Sequence, residues 1–158
     1  MSALLTQKIK EHLEAGLADL PLLGQTSSGL EKRPAKVWIG DLPPKRKDKE
    51  SRELPCVLIV PLAGHFEEGA MVMTVALLCV VYNNEEDDGT GAETDLLSLI
   101  SKIAQLLLPA GQGAPIANRF ILEPDEKGRL LSWTKSENQP KPFVQADIIT
   151  TWQFKSWE

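Results

Sequence analysis

Hydrophobic positions in the chain fall into two periods, and their alternation along the sequence sets the expected elements. Near the start, Leu5, Ile9, Leu13 and Leu17 recur every four residues, with Leu20 three further on. Lys8, Lys10, Glu11 and Glu14 lie between them. One apolar stripe on an otherwise polar segment predicts an amphipathic helix of four to five turns, with Ser2 as its N-cap and Pro21 and Gly24 ending it. A second stripe runs through Leu96, Leu97, Ile100, Ile103, Ala104, Leu107 and Leu108 and stops at Pro109 and Gly111. It predicts a second helix, opened by a Thr90–Glu93 capping box or by Thr94.

The other segments read as strands and the loops between them. Val37, Trp38 and Ile39 form a short candidate closed by Gly40 and Asp41. After Pro55, CVLIVPL is apolar and rich in β-branched residues, and AGHFEEG reads as a turn. The run AMVMTVALLCVVY, Ala70 to Tyr82, is apolar at nearly every position, so it predicts a central strand covered on both faces by a helix or another subunit. RFILE and Leu130 to Trp133 read as a pair around a Pro124–Gly128 turn. The last strand alternates strictly: Val144, Ala146, Ile148, Thr150, Trp152 and Phe154 on one face; Gln145, Asp147, Thr151 and Gln153 on the other. QTSSGLEKRPA and NNEEDDGTGAET are loops by composition. A second charged loop covers about residues 43–53, where five basic and three acidic residues occur with no apolar side chain after Pro44. Helices separate from hairpin-linked strands predict an α+β fold, a mostly antiparallel sheet with two helices packed on one face.

Length and charge narrow the picture. At 158 residues, one core and one domain spanning 1–158 are expected. The charge of -5 argues against a general nucleic-acid coat, which needs clustered positive charge. The longest apolar run, thirteen residues, would span about 20 Å as a helix, short of a bilayer core of about 30 Å, so no membrane span is expected. The N-terminus carries Lys8, Lys10 and Glu11 where a signal peptide would be apolar. Cys56 and Cys79 lie in strand-like runs. A cross-strand disulfide is conceivable, but with no export signal two reduced thiols are expected.

Candidate chemistry is sparse. His12 falls on the polar side of the first helix and His65 in the expected turn, and no GxSxG elbow accompanies either. Glu85, Glu86, Asp87 and Asp88 are contiguous, unlike the alternating ligands of a calcium loop, so a solvated loop or an electrostatic contact is expected and a metal is not. Lys45, Arg46, Lys47, Lys49 and Arg52 are diluted by acids and lack interleaved aromatics, unlike a single-strand binder. No cofactor is implied. Trp157, one residue from the end of the sequence, either folds back on its own domain or docks on a neighbouring subunit.

The order of these segments carries a resemblance. A leading helix, a strand, a charged excursion, LPCVLIVPLAG, a long strand running into VVYNNEEDDGTGAETDLLSLISKIAQLL, the strand RFILEP and a closing ADIITTWQF together resemble the tail terminator (tail completion) proteins of tailed phages and prophages. The likeness covers about residues 2–155 and is one of order and pattern, with no motif on which a functional residue transfers. It implies a non-enzymatic homo-oligomer, usually six copies in a ring. That ring caps the tail tube and offers a surface for joining the head, with the major tail tube protein and a head–tail connector as partners. It implies assembly in the bacterial host cytoplasm and residence in the virion tail. Candidate interface residues are Arg46, Lys47, Glu85, Glu86, Asp87, Asp88, Phe154 and Trp157. The competing expectation is a small-ligand or regulatory binding module without catalysis, its pocket lying between helix and sheet and lined by tryptophans.

Overall fold

The computed structural model describes residues 2–26, 29–40, 55–82, 90–136 and 143–155. In chain order they form α1 (Ser2–Leu17), β1 (Pro21–Thr26), β2 (Gly29–Pro34), β3 (Lys36–Ile39), β4 (Cys56–Glu67), β5 (Ala70–Tyr82), α2 (Thr90–Leu107), a 3-10 turn (Leu108–Gly111), β6 (Ile121–Glu123), β7 (Leu131–Lys135) and β8 (Phe143–Lys155). The main sheet has the order β3-β4-β5-β8-β6, with β7 also paired to β8. All its pairings are antiparallel except β3 with β4. A parallel pair needs a return connection of about a dozen residues, and the charged segment 43–53 belongs to that connection.

Both helices pack on one face of this sheet, as the sequence predicts. Leu5, Ile9, Leu13 and Leu17 of α1 are buried, as are Ala92, Leu96, Leu99, Ile103 and Leu107 of α2. They meet Val57 and Ile59 of β4, Val75, Leu77, Cys79 and Val81 of β5, and Val144, Ala146 and Ile148 of β8. Leu97 departs from the predicted stripe. It is exposed, while Leu99 is buried, because the buried positions of α2 step 92, 96, 99, 103, 107. The two helices approach closely at Gly16, where a Cβ would run into the Leu106 side chain. His12 Nε2 donates to the Leu106 carbonyl at 2.8 Å, satisfying one of the carbonyls a helix end leaves without a partner.

Two sequence expectations are corrected. QTSSGLEKRPA is not simply loop, because β1 and β2 pair as a two-stranded antiparallel hairpin from Pro21↔Pro34 to Thr26↔Gly29. AGHFEEG is not a turn. Strand β4 continues to Glu67, and the reversal is confined to Glu68 (φ 44) and Gly69 (φ 83), two left-handed residues of the kind that close a tight hairpin. The second face of β5 carries no helix among the described residues; Val72, Thr74, Leu78 and Val80 there are half-buried.

The β5–β8 pairing runs unbroken from Ala70↔Lys155 to Tyr82↔Phe143. The predicted alternation of β8 is observed, with Val144, Ala146, Ile148, Thr150, Trp152 and Phe154 all buried. Thr150 is the polar member of that row. Its Oγ1 donates to the Val75 carbonyl at 2.8 Å and accepts from Trp152 Nε1 at 2.8 Å. One hydroxyl thus satisfies a buried indole and ties β8 to β5. Thr150→Val keeps the volume but orphans the Trp152 N–H, and an unsatisfied buried donor costs about 1–3 kcal/mol. A lowered urea midpoint with unchanged m-value is the expected result; an unchanged midpoint would show that the indole does not depend on this hydroxyl.

Candidate interaction surface

Of the interface residues expected from sequence, Phe154 alone lies among the described residues. Arg46, Lys47, Glu85, Glu86, Asp87, Asp88 and Trp157 fall outside them. Phe154 is 2% exposed and meets Phe120 edge-on, with centroids 5.1 Å apart. It is therefore a core residue, placed there by the β8 alternation, and not a surface anchor. Trp152 is likewise core, as its register predicts.

The structure brings forward a surface that the sequence reading missed. Strand β3 pairs with β4 only as far as Ile39↔Ile59. Beyond that point no described strand lies along the outer side of β4. A bulge falls between Pro61 and Ala63, and every residue from Pro61 to Glu68 is exposed. This free edge carries two large apolar side chains, Leu62 at 56% and Phe66 at 71% exposure. Exposed edges with apolar side chains are templates for pairing with another chain, and proteins ordinarily blunt them. At the far side of the sheet β6 is outermost beside Thr151–Gln153, level with Ala63–His65, and β7 is outermost beside Ala146–Thr150, where its Trp133 is 45% exposed. The two-residue Glu68–Gly69 turn signals only that β4 extends through HFE; that its outer side lacks a neighbour follows from sheet order.

A cleft of about 510 Å³ lies beside the hairpin tip, lined by Glu68, Asn118, Arg119, Ile121, Gln153 and Lys155 among others. Ala117 and Asn118, at its rim, adopt left-handed backbone angles. No tryptophan lines it, and it sits at the sheet's end, away from the space between helices and sheet.

Several titratable side chains are engaged in structure. His65, on β4, lies 3.0 Å from Glu67 Oε1 on the same side of the strand, and both are exposed. His12 holds α1 to α2. Among the described residues no group of three or more His, Cys, Asp or Glu side chains could hold a metal ion, and no helix is long and apolar enough to cross a membrane. Lys135 of β7 pairs with Glu93 of α2. In the turn between β6 and β7, Asp125 Oδ1 accepts from the N–H groups of Lys127 (2.8 Å) and Arg129 (3.0 Å), and Oδ2 accepts from Arg129 Nε at 2.9 Å. The Arg129 N–H, more than any other group, holds the Asp125 carboxyl below its ordinary range, with the guanidinium and the Lys127 N–H adding to it.

Cys56 and Cys79 are both buried, and neither forms a disulfide. Val57 pairs with Cys79, and Cys56 with Val80. Paired residues share a face and successive residues alternate, so the two thiols point to opposite faces. Burial pushes the Cys79 thiol up.

No family model matches the chain, and no curated protein does.

Two outcomes follow from this geometry. A thiol reagent should leave both cysteines unmodified in the native protein and titrate two after denaturation; rapid native labelling would contradict the buried placement. A carboxyl held low in the folded state contributes above its unfolded pKa of about 3.9 and loses that contribution as pH falls through the folded value. In Asp125→Asn, the amides of Lys127 and Arg129 should exchange faster than in the parent above pH ~4, and the difference should vanish in stronger acid. Equal exchange at neutral pH would refute the role assigned to Asp125.

Proposed function

We propose that the protein is a structural assembly protein of the tail-terminator kind, a homo-oligomeric ring that caps a tail tube and presents a head-joining surface. The observation that carries this reading is a sheet with an open edge on each side among the described residues, each bearing exposed large apolar side chains: Leu62 and Phe66 on β4, Trp133 on β7. Two different edges on one molecule suit head-to-tail contact between copies, and contacts of that type generate rings when the rotation closes. The element order supports it further. A leading helix is followed by a central strand that enters the acidic run 85–88, then by a helix packed on the sheet and a long final strand. The partners of this reading are further copies of the chain, the major tail tube protein and a head–tail connector, met in the host cytoplasm and retained in the virion tail.

A binding-module reading draws on the 510 Å³ cleft. Its expected site between helix and sheet is occupied by side chains such as Leu13, Ile59, Leu77 and Ile103, all at 0% exposure, so such a module would use the rim.

Light scattering after size exclusion separates the two. A closed species of about six copies is expected at high protein concentration. A monomer or dimer at every concentration, with a ligand-dependent rise in Tm, would favour the binding module instead.

A further inference from the structure

The ring reading leaves open which surfaces meet. Resting on that reading, we infer that the free edge of β4, Leu62–Phe66, pairs antiparallel with the outer edge of β7, Leu131–Lys135, of a second copy of this chain.

Strand direction is the first support. β4, β5, β8 and β7 alternate in direction across the sheet. A neighbour placed with its β7 beside β4 therefore meets it antiparallel, and the sheet continues from one copy to the next without reversal.

Side-chain facing is the second. Trp133 pairs with Ile148, which is buried under the helices. Gly64 pairs with Met73, and Phe66 with Met71. Met73 is paired in turn with Trp152 of the buried β8 row, and Met71 with Phe154. Trp133 and Phe66 therefore stand on the helix-bearing side, and Leu62, the extra residue of the bulge between Pro61 and Ala63, falls on that side two residues before Gly64. Setting Trp133 opposite Gly64 places Leu131 opposite Phe66, and Lys135 opposite Leu62. Gly64 presents no side chain, so the indole can lie across it between Leu62 and Phe66, an arrangement that rescues an edge glycine. The opposite face then pairs Ser132 with His65, and Thr134 with Ala63.

Closure is the third. Trp133, Ile148, Leu77 and Ile59 form one row across the sheet, and Gly64, Met73 and Trp152 form another. Joining Trp133 to the Gly64 row steps the sheet by the four residues from Leu77 to Met73, roughly 13 Å at about 3.3 Å per residue. The four strands β4, β5, β8 and β7 take up roughly 19 Å at about 4.8 Å each. The resulting inclination is about 35°, at the lower end of the range strands adopt when a sheet closes on itself.

The test is disulfide cross-linking of the full chain carrying Ser132→Cys and His65→Cys together. These positions lie at opposite edges of one sheet, about 14 Å or more apart, too far to bridge within a chain. Cys56 and Cys79 are buried and do not compete. Mild oxidation at high protein concentration should yield a ladder of covalent oligomers ending at the ring number. A mixture of the two single variants should yield nothing beyond dimers. Trp133→Glu should keep the circular dichroism of the parent and abolish the ladder. The alternative is a twofold β4–β4 contact about Gly64, which would instead cross-link Ala63→Cys/His65→Cys into dimers and leave the first pair unlinked. That result, or the absence of any ladder, overturns the inference. A ring-sized mass without the ladder removes the edge pairing and keeps the ring; a ladder from a protein that leaves tail tubes uncapped keeps the pairing and removes the terminator reading.

Discussion

The β5–β8 pairing is the constraint on which the rest of the structure depends. Two thirteen-residue strands held in register over their whole length define a plane longer than either helix needs to cover. A slip of one residue would turn Trp152, Phe154 and Ile148 to the opposite face and Gln145, Asp147 and Gln153 into the core. The Thr150 hydroxyl, bonded at once to the Val75 carbonyl and the Trp152 indole, adds a polar lock to that register. Both helices then have one face on which to pack, and β4, β6 and β7 take their positions from the two central strands.

The length of that pair has a consequence for assembly. The helices and β3 serve the half of the sheet around Ile59, Leu77 and Ile148, whereas β4 and β5 continue as a hairpin to Glu68 and Gly69. The outer side of this extension is where Leu62 and Phe66 stand exposed. An arm built on a rigid central pair is pre-organised for docking, so little ordering entropy is lost when another chain adds to it. In the proposed ring, the apolar side chains that would be a hazard on an isolated protein become contact area.

Much of the fold was legible in the sequence because burial follows period. The four-residue spacing of Leu5, Ile9, Leu13 and Leu17 and the two-residue alternation of β8 each report a single buried face, and both are observed. The misreadings arose where local composition and tertiary context diverge. Polar, glycine-containing QTSSGLEKRPA nevertheless pairs into a hairpin, since backbone pairing does not require apolar side chains. AGHFEEG looked like a turn because its glycines and acids match turn composition, yet Gly64 sits in strand and the reversal needs only Glu68 and Gly69. Position near the end of the chain points to Phe154 as an interface residue, but the alternation that buries Trp152 buries it too. The free β4 edge was not legible, because which strand lacks a neighbour depends on sheet order and on where β3 stops.

In the proposed function this chain ends the growth of a tail tube by capping it as a ring. The most direct measurement is the length distribution of tubes assembled from tail tube protein with and without the purified full chain, read by electron microscopy. The account predicts tubes whose elongation stops when the protein is added, with extra ring density at one end. Tubes that continue to lengthen at the same rate with bare ends would contradict it.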